Sequence, residues 1–301
     1  MATATALALC AAFIHAGWNT FIKQSADRAS SLVVQMAVGG ALAAVALPFV
    51  GLPGSASLPW MFASAVTHIG YVHALARAYR HGDFSAAYPI ARGGGACLAA
   101  LGGALLLHDD MGLLSWVGIA SAAMGLGVIA WSKVGGSALR SASLTAMCIA
   151  TYTLFDSRGV RASGNGWGYG LMFMCVAAVL LVGVECARGK RAALVVAANE
   201  QRWLLLFAGA GMTAAYAMAL AAIRLAPVGY VAMLRESSVV IGACIGWVFF
   251  HERMAPRRIL GSFVVLAGLS ILVGSRLGSP TNSQCPKDRH ARSVSSRPCQ
   301  T

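Results

Sequence analysis

The chain has 301 residues, 58% of them hydrophobic and 11% charged, with a mean hydropathy of +0.69. Water-soluble domains carry about 25% charged residues, so water is not this protein's main solvent and no soluble domain is expected. The net charge of +13 would suit nucleic acid, but Lys and Arg cluster in short gaps between apolar runs, where they read as topology signals and headgroup anchors, which argues against nucleic acid as a partner.

Runs of about twenty apolar residues, the length that crosses a bilayer core, follow one another with little sequence between them. They predict an all-α integral membrane protein with ten transmembrane helices, near 3–22, 31–51, 58–79, 85–107, 112–131, 140–159, 167–187, 202–223, 227–250 and 257–274. The first run lacks a basic n-region and leads into a polar cluster, so it reads as a retained span and not as a cleaved signal. Cys10, Cys97, Cys148, Cys175, Cys186 and Cys244 fall within the runs, where cysteine behaves as a small hydrophobe; only Cys285 and Cys299 look water-exposed.

The first span carries His15, Trp18 and Asn19 at helical spacing, which places them on an inward face. Trp18 would supply an aromatic wall and Asn19 hydrogen bonds; alternatively the trio is packing glue with an interfacial Trp. On the third span His73 and Arg77 are four apart, with His68 and Tyr71 on a neighbouring stripe. Arg77 reads better as a side chain snorkelling to the surface than as a ligand contact.

The fourth span contains Tyr88, Pro89 and Arg92. Pro89 removes a backbone hydrogen bond and favours a kink, and a charged side chain at bilayer depth must face the protein interior or an aqueous cavity. Gly93, Gly94 and Gly95 read as close helix packing; no Gly-Lys-Ser/Thr follows, so a nucleotide site is unsupported. The His108-Asp109-Asp110 cluster offers too few ligands for a metal site, and Asp109 looks like a group that fixes loop geometry with a nearby Arg. No cofactor is expected.

The sixth span brings Tyr152 and Asp156, the latter near Arg158 and Arg161, either of which could pair with it. The stretch from Arg188 to Arg202 reads as a charged linker. Tyr216 follows on the eighth span, and the ninth carries Arg235 beside Glu236. Tyr88, Tyr152 and Tyr216 could line a path, although a buried Tyr more often packs its ring and satisfies one hydroxyl. After Gly274 the composition turns to Ser, Pro, Arg and Lys, which predicts a disordered basic tail over 276–301.

Adding 143 to residue numbers in the fourth and fifth spans returns the same residue types. Arg92 maps to Arg235, Ala100 to Ala243, Gly103 to Gly246, His108 to His251, Met111 to Met254, Gly118 to Gly261 and Gly125-Leu126 to Gly268-Leu269, with Asp109 on Glu252. The chain therefore divides into two repeats, 1–132 and 138–275. Because five spans is an odd number, the second repeat should enter the membrane inverted, an arrangement that suits transporters. Lys and Arg concentrate after the odd-numbered spans, which favours both termini outside, while the basic tail opposes this, so sidedness stays open.

Several segments carry a family pattern: His-Ala-Gly-Trp-Asn at 15–19, Tyr-Arg-His-Gly-Asp-Phe-Ser at 79–85, Tyr-Pro-Ile-Ala-Arg-Gly at 88–93 and Leu-Arg-Glu-Ser-Ser at 234–238. Over residues 5 to 275 the sequence resembles the EamA-type transporters of the drug/metabolite transporter superfamily. One departure is visible, since the family's fourth helix often ends with Gly-Glu where this chain has His108-Asp109-Asp110. The resemblance implies a ten-helix carrier of small organic metabolites, often an exporter in a bacterial plasma membrane, and fixes no substrate.

Substrate chemistry is therefore argued from polar residues inside the spans. Arg92 and Arg235 are the first candidates, because a guanidinium offers a planar fork of donors to a carboxylate or phosphate. Each could instead be locked in a structural ion pair, with Glu236 the obvious partner of Arg235. Glu236 and Asp156 could hold a substrate ammonium or a coupling proton. Together with His15, Trp18, Asn19, His73, Tyr88 and Tyr152 these residues predict a secondary transporter of an amino-acid-like or anionic metabolite, working in the bilayer by alternating access, with proton-coupled and uncoupled movement both open. Flipping of a lipid-linked sugar, or a membrane-embedded enzyme, is the alternative; the sequence has neither a His-Glu-x-x-His motif nor a Gly-x-Ser-x-Gly elbow.

Overall fold

The computed structural model describes residues 1–22, 27–81, 84–130, 135–250 and 255–277. They form helices α1 (Ala2–Ile22), α2 (Arg28–Val50), α3 (Leu58–His81), α4 (Phe84–Leu106), α5 (Leu113–Ala130), α6 (Gly136–Ala162), α7 (Gly166–Ala187), α8 (Arg191–Glu200), α9 (Arg202–Leu225), α10 (Val228–Arg235), α11 (Ser237–Phe250) and α12 (Pro256–Leu277), with a 3-10 turn at Ser55–Ser57. Among the described residues, seven stretches are long and apolar enough to cross a membrane: Ala29–Val50, Pro89–Leu106, Leu113–Ala130, Gly166–Ala187, Arg202–Leu225, Val228–Phe249 and Pro256–Arg276. The remaining long helices, α1, α3 and α6, are diluted by polar residues such as Asn19, His68 and Asp156.

Burial has the sign expected of a protein in lipid. Phe13, Phe49, Leu105, Val179, Phe249 and Phe263 point outward, while His68, Arg92, Asp156 and Glu236 are buried. In water such an apolar exterior would be an association surface; against acyl chains it is matched. The interior is rich in alanine, including Ala8, Ala43, Ala99, Ala100 and Ala222, because helices in lipid associate through close packing of small residues.

Helix α5 packs on α12, α2 on α7, and α4 on α10. Helix α3 packs on α6 and α1 on α9, while α4 also lies on α6 and α1 on α10 and α11. The α5–α12 seam is set by glycines. A Cβ added to Gly118 would stand 2.8 Å from the Gly268 carbonyl oxygen, and one on Gly125 2.7 Å from that of Gly261; the reverse additions meet Gly118 and Gly125 at 2.8 and 2.7 Å. Only residues without a side chain permit that approach.

Three local features depart from the sequence reading. The apolar run over 227–250 is interrupted at Glu236, where Glu236 N–H donates to Met233 O and Val239 N–H to Glu236 O, both at 3.0 Å. These are three-residue steps, and the Ser237 hydroxyl also donates to Leu234 O at 2.8 Å, competing with the regular ladder. Pro89 lies inside α4, as expected.

The expected linker over 188–202 contains α8, whose Leu194 and Ala197, three residues apart, are both buried. The last helix continues past Gly274 to Leu277. Arg276 donates to the Asp110 carbonyl, and the Ser275 and Ser115 hydroxyls lie 2.9 Å apart; these contacts tie the end of α12 to α5 and the loop before it. Residues 278–301, including Cys285 and Cys299, lie outside the described residues, as do His251 and Glu252.

Candidate functional site

Arg92 projects from α4 and Glu236 sits at the α10–α11 junction; both are buried. Arg92 Nη2 donates to Glu236 Oε1 at 2.8 Å and Nε to Oε2 at 3.3 Å. This is a two-point guanidinium–carboxylate pair, the geometry in which a buried charge is best satisfied. It joins opposite halves of the sequence; of the two arginines for which an ion pair was the alternative reading, Arg92 and not Arg235 takes Glu236.

Arg235, the last residue of α10, is half-buried and has no hydrogen bond or ion pair among the described residues. The charges of Arg92 and Arg235 both act on the His15 ring and on the Tyr71 and Tyr152 hydroxyls. Arg235 also acts on His68, Asp156 and Tyr216. The two guanidinium groups thus share one neighbourhood, bounded by α1, α3, α6 and α9.

That neighbourhood is aromatic. The His68 ring lies 3.9 Å from Tyr152, 4.9 Å from Phe173 and 5.8 Å from both Tyr71 and Tyr216, centroid to centroid. Tyr71 and Tyr152 are 5.6 Å apart, and Phe173 stacks on Tyr216 at 4.9 Å. One nitrogen of His68 is held by Ser64 O at 3.1 Å, which fixes the ring in the cluster.

Asp156 is buried beneath these rings, accepting from the Tyr169 hydroxyl at 3.2 Å and from the Tyr216 hydroxyl. Neither nearby arginine reaches it. Arg158 lies over the Trp60 ring, 5.7 Å from its centroid, and Arg161 pairs with Asp109 at 2.7 Å.

Asp109 Oδ2 also accepts from Val228 N–H at 2.7 Å, capping the start of α10, where a carboxylate complements the positive helix end. Asp109 therefore orders a loop by pairing with an arginine, as its position suggested.

On α1, His15 meets Trp18 edge to face at 4.7 Å. Trp18 is buried, and its indole N–H has no partner among the described residues; Asn19 is half-buried on the same helix. His73 stands apart. Its Nε2 lies 3.0 Å from Glu185, whose carboxylate also takes Lys190 at 2.6 Å, and Arg188 adjoins both. His73 thus belongs to a polar cluster at the end of α7 and not to the aromatic group. The side chain of Tyr88 lies outside the description.

The structure adds Tyr169 and Phe173, which sequence reasoning missed. Gly159 carried a signal for the first: a Cβ there would meet the Tyr169 ring at 2.6 Å, so a glycine three residues beyond Asp156 makes room for the hydroxyl that reaches it. Phe173 had none, being one apolar residue in an apolar helix.

Residues 137–274, a little under half of the chain, match the EamA-like transporter family. A solved structure titled "Crystal structure of protein" is similar over 93% of this chain and 100% of its own, with a TM-score of 0.68 at 15% identity, a likeness of fold. No curated protein matches the sequence. The apolar helices of membrane-spanning length and the buried polar centre are those of a multi-pass membrane protein, and residues 137–274 are similar to the EamA-like transporter family.

Proposed function

We propose that this protein is a secondary transporter that moves a small zwitterionic or anionic metabolite, amino-acid-like in its charges, through the site around Arg235. The single observation that carries the reading is the half-buried Arg235 guanidinium, which lacks a carboxylate partner among the described residues. An unpaired charge at that depth is unfavourable unless an aqueous path or a ligand meets it. Arg235 offers a fork to a substrate carboxylate, the Tyr and His rings bound the body of the molecule, and Asp156 is the group that an ammonium or a proton would meet.

The machine is ten spans arranged as two inverted five-helix repeats, 1–132 and 138–275, with α10 and α11 as one broken span and α8 as a helix outside the count. The packing supports this. Exchanging the repeats turns the α3–α6 contact into α9–α1 and the α4–α6 contact into one between α1 and α10 or α11, while α5–α12, α2–α7 and α4–α10 map onto themselves. The reciprocal approach of Gly118 to Gly268 and Gly125 to Gly261 follows the same exchange. Two such units around one centre open it to each side in turn. The protein is an exporter of a plasma membrane in this reading, with Asp156 or Glu236 available to couple movement to protons.

The test is purification into liposomes and a panel of labelled amino acids and small anions, with and without a pH gradient. Accumulation that depends on Arg235 is the expected result; chemical conversion of a compound in place of its relocation would replace the carrier with an enzyme.

A further inference from the structure

The two central arginines are not equivalent, although they occupy repeat-related positions. Arg92 already holds a carboxylate on two of its nitrogens, that of Glu236, at 2.8 and 3.3 Å. Arg235 holds none among the described residues, yet it ends α10 directly beside Glu236, the residue that Arg92 grips. Two arginines brought together at the α10–α11 junction have the makings of a dianion site, and half of it is filled from within.

We infer that Glu236 is a specificity-determining residue: it occupies Arg92 as a built-in carboxylate and so restricts the substrate to a single anionic group, bound by Arg235. This rests on the transport reading above. A second substrate carboxylate would find Arg92 taken and Glu236 beside it, leaving a buried negative charge unpaired, which is strongly unfavourable. Exclusion by an unpaired charge is how a site refuses a near relative of its ligand. The junction between α10 and α11 gives Glu236 its place, because the break turns its carboxylate from Arg235 toward α4.

The experiment compares monocarboxylic amino acids (glutamine, phenylalanine, lysine) with dicarboxylic ones (glutamate, aspartate) in liposome counterflow. Wild type is expected to move at least one of the former and to disfavour the latter by about tenfold or more. Glu236→Gln, which frees Arg92, is expected to erase most of that preference. Arg92→Gln combined with Glu236→Gln removes both charges and should restore it. Equal handling of both classes by wild type, or unchanged selectivity in Glu236→Gln, overturns the inference while transport itself stands. If wild type moves none of the panel, the transport reading fails first. Should Glu236→Gln not survive reconstitution, Arg92→Gln decides, since it strands Glu236 beside Arg235: affinity for monocarboxylates should fall by about tenfold, and unchanged affinity overturns the proposal.

Discussion

Glu236 gives its carboxylate to Arg92, 144 residues away, and not to Arg235, its neighbour in sequence. Adjacent helical residues point in different directions, and the interruption after Arg235 separates the two further. The pair is thus a tie between halves of the chain, and it leaves Arg235 with no carboxylate partner among the described residues.

Breaking this tie on one side should be worse than removing it. Arg92→Met or Glu236→Gln alone leaves a buried charge uncompensated and is expected to lower stability by about 3–5 kcal/mol. The double variant should be closer to wild type than the worse single one. Thermal unfolding of the four proteins in detergent gives the cycle; strictly additive losses would mean the two groups do not depend on each other.

The cap on α10 has its own signature. Asp109 serves Arg161 and the Val228 N–H together, so Asp109→Ala should destabilise by about 1–3 kcal/mol. Asp109→Asn keeps an acceptor for Val228 and should lose less. Equal losses in the two would place the whole effect in the Arg161 pair.

At the α5–α12 seam, Gly118→Val drives a side chain into the Gly268 carbonyl and should lower the unfolding temperature, with a penalty of about 1–3 kcal/mol. Gly127 is the control. A Cβ there meets nothing within 4 Å, so Gly127→Ala should be close to neutral, and a comparable loss at both positions would contradict the seam.

Asp27 gives a pH dependence outside the membrane. Its carboxylate caps α2 through Ala29 N–H at 3.1 Å and Ser30 N–H at 3.2 Å. The Ser30 side-chain hydrogen bond, aided by these amides and by Lys190, holds it below the ordinary carboxylate range. Its contribution is therefore present above that range and lost as pH falls through the lowered folded value. Asp27→Ala should cost about 1 kcal/mol at neutral pH. The difference from wild type should shrink in acid, below about pH 3.9, as read from unfolding temperatures across that range.

How much of this was legible in the sequence varies with what the feature depends on. Helix positions follow from apolar run length, and α2, α4, α5 and α7 begin and end within a few residues of the expected limits. The break at Glu236 does not, because it rests on side-chain bonds of Ser237 and on Arg92 reaching from another helix. The α8 helix was hidden by its flanking charges, which read as a linker although Leu194 and Ala197 share one side. At the site, intramembrane charge pointed to Arg92, Arg235, Glu236 and Asp156, but which partner each takes is tertiary information. His68, Tyr71, Tyr152, Phe173 and Tyr216 come from α3, α6, α7 and α9, and spacing within one helix cannot assemble a cluster drawn from four. His73, read as part of the same polar side, is five residues from His68 and is drawn off by Glu185.

Transport through a site anchored on Arg235 is tested most directly by counterflow in liposomes preloaded with an unlabelled monocarboxylic amino acid. Wild type should accumulate the labelled compound transiently. Arg235→Gln should reduce the rate by about tenfold or more with its unfolding temperature preserved, and Arg235→Lys should keep part of the activity. Counterflow by Arg235→Gln at the wild-type rate would contradict the assignment.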